Sequence, residues 1–387
     1  MSPVHRNVVA LGFVSFFTDM ASSMVTSVLP LYVVYVLHEG VDKMGYIVAV
    51  ATFVSYAFRF VFGYLSDRLR VVKPFVVVGY GISAVTKPML ALVHSWSGIA
   101  LLRGVERIGK AVRSASKDAL ISAYAKQGKS GATFGFHKTM EIAGELIGSI
   151  IAFAVLWRLG ESADVFKTLF AWTLLPGIAA VVTVVWFVRD VPYRAKSRVT
   201  TVRLGDDRAL LPLLALHFGF VFFMLSDAFF MLGAKGNGVL SAYVPLLVIL
   251  SNLTQTLTSY RLGVAIDRFG AMRVLRLATL FAFVATGALA TGLTVAGFVF
   301  WGLATVASLN AMRSLIGTYA RNQGSVYGIW YAGVALFGAT GAAVMGTVWQ
   351  HYGQHRALLV SLAGLALVWT VSFAVRAPRN EAHAAQG

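Results

Sequence analysis

The sequence has no cysteine, and charged residues make up only 13% of its 387 residues. The lack of cysteine excludes disulfide bonds, thiolate metal sites and thiol catalysis. There is no His-rich metal box, phosphate-binding loop or nucleophile motif, so the sequence indicates neither an enzyme nor an ATP-driven pump. The shortage of charge, together with 58% hydrophobic residues, is outside the range of an ordinary soluble domain. The sequence therefore predicts a chain that is surrounded by lipid.

Most of the sequence consists of long stretches of apolar residues. Each run is near the length of about 20 residues that crosses a bilayer core, and each is continuous rather than alternating, which favours helices over a β-barrel. The first run extends to Leu37 and contains Asp19 and Pro30, so it does not resemble a short cleavable signal peptide. We predict an all-α, polytopic membrane protein with twelve transmembrane helices, near residues 8–37, 43–66, 74–94, 97–116, 131–157, 166–188, 211–234, 239–261, 271–293, 296–318, 324–348 and 355–376.

The net charge is +17, and its distribution predicts the topology. Most lysines and arginines fall in the termini or in the loops after even-numbered helices. By the positive-inside rule both termini are then cytoplasmic. We predict a multi-pass monomer of a bacterial inner (cytoplasmic) membrane, whose basic surface contacts anionic lipid rather than nucleic acid. The loops after odd-numbered helices hold few basic residues, namely Lys43, Arg158, Lys167, Lys235 and Arg356.

An internal duplication divides the chain into two halves. The longest polar connection predicts a six-helix bundle at 1–188, a cytoplasmic linker at 189–210, a second six-helix bundle at 211–376 and a cytoplasmic tail at 377–387. A duplicated six-helix unit is typical of transporters whose halves rock about a site at the midplane. Three matches cross the linker: residues 63–68 with 263–268 at an offset of 200, Gly131 with Gly324 at 193, and Asp19 with Asp227 at 208.

The segment Gly63-Tyr-Leu-Ser-Asp67-Arg68 resembles the motif found between helices two and three of major facilitator transporters. The resemblance implies the major facilitator (MFS) fold, in two pseudo-symmetric halves of six helices. It also implies that Asp67 and Arg68 hold a cytoplasmic gate, with Asp267 and Arg268 as the second copy. Arg70, Val71 and Val72 stand where the motif usually has glycine and basic residues.

A narrower resemblance covers much of the N-terminal half. Some members of a bacterial exporter branch of the superfamily are associated with resistance to nickel or other metals, and that branch is similar to this chain at residues 16–19, Lys87-Pro88, 103–113 and 118–121. Ser23 stands where the branch has a glutamate, and Ser116-Lys117 replaces a Pro-Arg pair. The resemblance implies export, with a metal-related solute as one alternative.

Charged side chains inside the predicted helices are candidate functional groups, because one at a helix centre costs about 2.5–3.5 kcal/mol on insertion scales. Asp19 lies halfway along helix one, and we interpret it as a site for a proton or a cation; a permanent pair with Lys87 or Lys138 is the alternative. Helix five carries His137, Glu141 and Glu145 at i, i+4 and i+8, on one face. Together with Asp19 these groups suit a proton relay or a divalent metal ion. A structural network with Lys138, Arg103 and Arg107 is the other interpretation.

Helix four carries Arg103, Glu106 and Arg107. In the superfamily that the chain resembles, an arginine near Arg103 is thought to influence proton transfer, whereas Glu106 can pair with Lys110 at i+4. The C-terminal half adds Asp227 and aromatic residues, which either surround a cationic solute or simply pack. The candidate lining of a substrate cavity is Ser22, Ser23, Lys87, Asn310, Trp330 and Tyr331.

These patterns predict a proton-coupled exporter of a small cationic or metal-related solute. In this hypothesis no cofactor is needed, and Asp19, Glu141 and Glu145 exchange protons for the solute. The alternatives are a carrier of metal ions or metal chelates, an importer of the same architecture, and a membrane scaffold that transports nothing.

Overall fold

A computed structural model of the chain describes residues 5–69, 72–124, 130–190 and 205–375. Within these ranges the regular elements are helices and no strand occurs, which confirms the all-α class. Most of the predicted linker and the whole predicted tail lie outside the described residues. The α-helices are α1 (Arg6–Thr26), α2 (Leu29–Leu31), α3 (Val41–Leu69), α4 (Lys73–Met89), α5 (Trp96–Tyr124), α6 (Ser130–Leu159), α7 (Ala163–Trp172), α8 (Leu174–Phe187), α9 (Leu211–Phe223), α10 (Asp227–Gly236), α11 (Val244–Phe269), α12 (Ala271–Ala290), α13 (Thr294–Tyr319) and α14 (Gln323–Val371).

The described ranges contain nine helical segments that are long and apolar enough to cross a membrane. One of them, Ser325–Val371, is two helices, because Gly353 has a φ of 85° and a ψ of 165° that no helix accommodates. Only glycine adopts such a left-handed φ without strain. Two further helices, α5 and α11, are 29 and 26 residues long but more polar. The twelve predicted spans are thereby confirmed.

Predicted helix seven is not one continuous helix. The first segment, α9, ends at Phe223, and the second, α10, begins at Asp227, with extended backbone at Met224 and Ser226. Asp227 is exposed in the first turn of α10, where its Oδ1 accepts a 2.9 Å hydrogen bond from the Ala228 N–H. The prediction of Asp227 as a mid-helix carboxylate is therefore wrong.

Two distant side chains stabilise this break. Ser361 Oγ donates a 2.7 Å hydrogen bond to the carbonyl of Phe223, and Trp301 Nε1 donates a 3.0 Å hydrogen bond to the carbonyl of Leu225. Carbonyls that lose their helical donor inside a membrane need such partners. Long-range hydrogen bonds thus replace the helical ones that the break removes.

The described residues fall into two compact units. Unit 1 comprises residues 5–190 with 238–249, and unit 2 comprises residues 205–237 with 250–375. In unit 1, α1 packs against α6 and α8, and α4 packs against α5. In unit 2, α9 packs against α14, and α12 packs against α13. In each unit the first helix of the predicted half therefore lies against its fifth.

Glycines bring α6 unusually close to α1. A Cβ atom at Gly144 would collide with the carbonyl oxygen of Phe16, and a Cβ at Gly148 would collide with that of Met20. Small residues at such positions allow two helix backbones to touch. Because Phe16 and Met20 flank Asp19, the glycines hold that stretch of α1 against α6.

The same contact recurs in unit 2 and fixes the register of the duplication. A Cβ at Gly341 would collide with the carbonyl oxygen of Phe222. Gly341 lies 193 residues after Gly148, and Phe222 lies 202 residues after Met20. The offset of 193 is the one predicted for helix five and its repeat.

This register corrects the predicted match of Asp19 with Asp227. At the offset of 202 the counterpart of Asp19 is Val221. The predicted offset of 208 is therefore wrong, and a carboxylate in the first helix is a property of unit 1 alone.

Candidate functional site

Unit 1 gathers ionisable side chains where α1, α4, α5 and α6 meet. Asp19 is half-buried on α1 and forms neither a hydrogen bond nor a salt bridge with any described residue. Its carboxylate interacts electrostatically with Glu141, Lys110, Lys117 and Arg113. Asp19 therefore lies among charges without being fixed to one of them.

Glu141, by contrast, is held by three partners. Lys117 Nζ donates a 2.7 Å hydrogen bond to its Oε1, and Lys138 Nζ donates a 3.2 Å hydrogen bond to its Oε2. His137 Nδ1 lies 3.5 Å from the Glu141 Oε1. Lys117 reaches Glu141 because α5 continues to Tyr124, past the predicted end of helix four at 116. Lys117 also interacts electrostatically with Asp19, so it joins the two carboxylates.

His137 is buried, with 4% of its surface exposed, and its other nitrogen faces a hydroxyl group. The His137 Nε2 and the Ser15 Oγ are 2.9 Å apart, and Ser15 Oγ is 3.2 Å from the Tyr80 hydroxyl. Arg113 stacks over the Tyr80 ring at 4.5 Å. Hydrogen bonds therefore connect α6, α1 and α4 through Ser15.

The buried acid of α5 pairs within its own helix. Arg103 Nη1 donates a hydrogen bond to Glu106 Oε2, three residues along, and both side chains are buried. The pairing of Glu106 with Lys110 that the spacing predicted is not formed. Lys87 is also buried, and its Nζ donates a 3.3 Å hydrogen bond to the Thr18 carbonyl. The sequence left open a permanent ion pair of Asp19 with Lys87 or Lys138. Neither lysine forms that pair.

Two basic side chains of α5 differ from Arg103 because no carboxylate of a described residue binds them. Arg107 and Lys110 are half-buried, and neither forms a hydrogen bond or salt bridge with a described residue. The charge of Arg107 acts on Lys110, and that of Asp19 acts on Lys110 from α1. Two like charges are thus held near each other opposite one carboxylate.

The structure does not support the predicted metal site. Glu145 is half-buried on α6 and interacts electrostatically with Asp19 and Glu141. No group of three or more His, Asp or Glu side chains that could hold a metal ion occurs among the described residues. Lys117 and Lys138 occupy the carboxylate oxygens of Glu141 that a metal ion would need.

The serines of α1 have local partners. Ser22 Oγ donates a 2.9 Å hydrogen bond to the Thr18 carbonyl. Ser23 is buried, and its Oγ lies 2.6 Å from the Ser149 Oγ on α6. Ser23 therefore ties α1 to α6 at the position where the resembled branch has a glutamate.

The gate motif is described in part. Gly63, Asp67 and Arg68 fall in α3, but their side chains lie outside the described part of the structure. The second copy, Asp267 and Arg268, is exposed near the end of α11. Asp267 lines a cavity of about 600 Å³ together with Arg273, Arg276, Ser314 and Tyr319.

Unit 2 presents an aromatic, uncharged counterpart to the cluster of unit 1. Trp330 on α14 lies 4.9 Å from Tyr331 and 5.9 Å from His217 of α9, measured between ring centroids. Trp330 and His217 are both buried, and Tyr331 is half-buried. Asn310 lies apart from this group, where its Nδ2 donates a 3.3 Å hydrogen bond to the Ser259 carbonyl.

Sequence reasoning missed several of these residues. Lys117 was excluded because the predicted helix ended at 116, although basic residues continue at helical spacing through Lys110 and Arg113. Ser15 gave no signal, since a serine in an apolar helix is ordinary. His217 could have been found from the duplication, because the offset of 202 pairs it with Ser15, the partner of His137.

Twelve membrane-spanning helices in a duplicated arrangement, with charges enclosed between them, define a secondary transporter. The profile of the Major Facilitator Superfamily matches residues 11–259. The chain therefore belongs to the Major Facilitator Superfamily, and it is a multi-pass membrane transporter.

Relatives in other organisms cover nearly the whole chain. A Mycobacterium tuberculosis protein, Rv2265, is 29% identical over 364 residues, which is 89% of this chain and 87% of the relative. An uncharacterized MFS-type transporter of Methanocaldococcus jannaschii is 24% identical over 389 residues, 94% of each chain.

Solved structures show the same fold. The nucleoside transporter NupG superposes with a TM-score of 0.76 at 14% identity, covering 96% of this chain and 99% of that chain. A D-xylose–proton symporter superposes with a TM-score of 0.71 at 16% identity, covering 95% and 96%. At these identities the likeness extends to the fold.

Proposed function

We propose that the chain is a proton-coupled transporter in which Asp19 takes up and releases the coupling proton. The observation that carries this proposal is that Asp19 forms no hydrogen bond or salt bridge with a described residue, whereas the carboxylates of Glu141 and Glu106 do. Glu141 is bound by Lys117 and Lys138, and Glu106 is bound by Arg103. A carboxylate held in a salt bridge must break that bond to take up a proton, whereas a carboxylate without a bonded partner can gain and lose a proton without breaking one.

Lys117 supplies a means of coupling. It binds Glu141 at 2.7 Å and also feels the charge of Asp19. When Asp19 is charged it attracts Lys117 and Lys110, and when it is protonated that attraction disappears. Protonation then changes how firmly α1 is drawn toward α5, which is the kind of bias that shifts a transporter between two states.

Proteoliposomes with an imposed pH gradient test the role of Asp19. Asparagine resembles a protonated aspartate, so Asp19→Asn is expected to keep gradient-independent exchange and to lose accumulation driven by the gradient, by about tenfold or more. Asp164→Asn, which alters an exposed acid in the first turn of α7, is the matched control and keeps both. Accumulation with wild-type pH dependence in Asp19→Asn would show that the proton is carried elsewhere.

The charges of the same cluster favour a solute with an acidic group. Its carboxylates are Asp19, Glu106, Glu141 and Glu145, and its basic groups are Lys87, Arg103, Arg107, Lys110, Arg113, Lys117 and Lys138. The basic groups outnumber the acids, and no carboxylate of a described residue is bonded to Arg107 or Lys110. A cationic or metal-related solute, which the sequence favoured, would meet net repulsion here. We therefore propose that Arg107 and Lys110 receive the acidic group of the solute.

Thermal stabilisation of the purified protein tests this solute class. Small carboxylates and phosphate esters are compared with organic cations and Ni²⁺, and the acids are expected to stabilise the protein. Lys110→Gln and Arg107→Gln should each weaken that binding by about tenfold, the scale of about 1.4 kcal/mol. Arg158→Gln at the exposed end of α6 is the control. Stabilisation by the cations alone would reverse the proposed solute class.

The direction that we propose is export, on the resemblance of predicted helices one, three and four to the exporter branch. Inside-out and right-side-out vesicles separate the two directions. Accumulation by inside-out vesicles that are acidified inside supports proton-driven export, and accumulation only by right-side-out vesicles that are acidified outside supports import.

A further inference from the structure

His217 and Trp330 form a buried polar pair in unit 2 that the coupling mechanism does not use. They face each other across the contact of α9 and α14, with ring centroids 5.9 Å apart and ring planes at 50°. His217 is 4% exposed and Trp330 is 2% exposed. The His217 Nδ1 and the Trp330 Nε1 are both enclosed, and neither has a hydrogen-bond partner in the part of the chain that the structure describes.

Two such nitrogens on neighbouring rings need an explanation. Each buried polar atom without a partner costs about 1–3 kcal/mol, and native proteins keep few of them. Where they do occur together, a bound water or ligand is the usual reason. The pair therefore indicates a group that binds between α9 and α14.

Unit 1 shows what occupies the corresponding place. Trp330 lies 193 residues after His137, and His217 lies 202 residues after Ser15. These are the offsets that the glycine contacts of the two units established. In unit 1 the pair bonds directly, because the Ser15 Oγ is 2.9 Å from His137 Nε2 and is also 3.2 Å from the Tyr80 hydroxyl. In unit 2 a ring nitrogen of His217 takes the place of the Ser15 hydroxyl. The contact of α9 and α14 therefore lacks the oxygen atom that joins α1 to α6 in unit 1.

The hydrogen-bonding capacity of His217 and Trp330 indicates which chemical group could bind between them. The indole N–H of Trp330 can only donate, whereas Nδ1 of His217 donates or accepts according to its tautomer. A hydroxyl oxygen satisfies both nitrogens in either tautomer, because it can accept two hydrogen bonds or accept one and donate one. Two hydrogen bonds of about 2.9 Å each through one oxygen span about 5 Å, and two rings whose centroids are 5.9 Å apart can place a nitrogen of each at that separation.

The surroundings argue against a charged ligand. No charged group of the described chain interacts electrostatically with His217, and the neighbours of Trp330 include the rings of Tyr327 and Tyr331. An ion that entered here would lose its hydration without gaining a countercharge, which is far more costly than burying a hydroxyl. The site thus differs in chemistry from the charged cluster of unit 1.

We propose that the Nδ1 of His217 and the Nε1 of Trp330 together bind one hydroxyl oxygen, supplied by an uncharged hydroxylated part of the solute or by a water molecule that this part displaces. The proposal goes beyond the coupling role of Asp19 and stands on different residues in a different unit. It gives unit 2 a role in selecting hydrogen-bonding solutes rather than in moving protons.

The indole N–H signals of protein labelled with ¹⁵N-tryptophan test the site directly. Eight tryptophans are present, and Trp330→Phe identifies the signal of Trp330 by its loss. The Trp301 signal is a reference for a hydrogen-bonded indole, since its Nε1 lies 3.0 Å from the Leu225 carbonyl. Spectra are recorded alone and with glycerol, myo-inositol or uridine, in the wild type and in His217→Phe.

Two results support the proposal and separate the sources of the hydroxyl. A Trp330 signal at a hydrogen-bonded position without solute, which moves in His217→Phe, shows a bound water. A signal that reaches this position only with a hydroxylated solute, whose affinity falls about tenfold in His217→Phe, shows a solute hydroxyl.

One result overturns the proposal. It is a Trp330 signal that stays at a position without hydrogen bonding under all conditions and does not respond to His217→Phe. The same spectra in the Asp19→Asn background keep the test separate from coupling, because loss of proton coupling leaves this site in place.

Discussion

The α1–α6 contact of unit 1 and the α9–α14 contact of unit 2 share one backbone arrangement and differ in almost all of their chemistry. Gly148 lies against Met20 in the first, and Gly341 lies against Phe222 in the second. Around the first are Asp19 and the Glu141–Lys117 pair, whereas around the second are aromatic rings.

The difference shows that the duplication conserves close packing rather than charge. Backbone contact between two helices needs small residues at fixed positions, and both units keep glycine there. The side chains beside the glycines were free to diverge, so unit 1 carries titratable groups and unit 2 carries hydrogen-bonding and apolar ones.

The largest effect is expected when a larger side chain replaces the glycine at the helix contact that both units share. Gly148→Val and Gly341→Val each place atoms against a backbone carbonyl that cannot rotate away. Overpacking costs about 1–3 kcal/mol and more in the tightest places, and these two contacts are at the upper end because the obstacle is backbone. We expect little or no monodisperse protein in size-exclusion chromatography. Gly317→Val is the control, because a Cβ there has no atom within 4 Å. Normal folding of Gly341→Val alone would break the equivalence of the two contacts.

A smaller loss is expected when the charge pair of unit 1 is broken. Glu141→Gln leaves Lys117 without its 2.7 Å partner, and removing one member of a largely buried pair costs about 3 kcal/mol. The midpoint of thermal unfolding in nanodiscs should fall clearly. The double variant Glu141→Gln, Lys117→Met should recover most of the loss, since it removes the unpaired charge as well. Equal midpoints for the single and double variants would mean that the pair does not stabilise unit 1.

A charge introduced into unit 2 tests whether its neutrality matters. Val221→Asp places a carboxylate at the counterpart of Asp19, on a helix whose described contacts with α14 are aromatic, and the expected cost is about 2.5–3.5 kcal/mol on insertion scales. Val221→Asn is the control for shape and polarity and should cost less. The reciprocal change, Asp19→Val, should lower stability little, because Asp19 has no bonded partner among the described residues. Similar stability of Val221→Asp and Asp19→Val would remove the electrostatic contrast between the units.

Much of the fold follows from the sequence because membrane insertion is decided by long apolar stretches, which hydropathy reports directly. The interruption between residues 348 and 355, where Gly353 turns the chain, was predicted for the same reason, since it separates two such stretches. The match at an offset of 193 was also visible, because both copies begin with a glycine and an aromatic residue. Asp19, His137 and Glu141 could be predicted as functional candidates because ionisable side chains inside an apolar helix are costly and are rarely present without a role.

What escaped prediction depends on residues far apart in the chain. The break after Phe223 lies in the apolar stretch Phe-Met-Leu-Ser, which has no glycine or proline, and it is stabilised by Trp301 and Ser361 from other helices. Lys117 was placed outside the predicted helix because hydropathy falls there, although α5 continues to Tyr124 and Lys117 forms a salt bridge with Glu141 of α6. His217 resembles any histidine in an apolar run until the register of the duplication places it opposite Trp330.

The smallest effect is expected from removing the hydroxyl that unit 1 has and unit 2 lacks. Ser15→Ala deletes the contacts with His137 at 2.9 Å and with Tyr80 at 3.2 Å. Leaving buried groups without a partner should cost about 1–2 kcal/mol, seen as a modest fall in the unfolding midpoint. His217→Ser in unit 2 provides the matching change, because it reproduces the serine of unit 1 opposite Trp330. If a hydroxyl is what Trp330 requires, His217→Ser should lose less stability than His217→Ala and should respond less to added myo-inositol. Equal behaviour of the serine and alanine variants would show that packing alone decides this position.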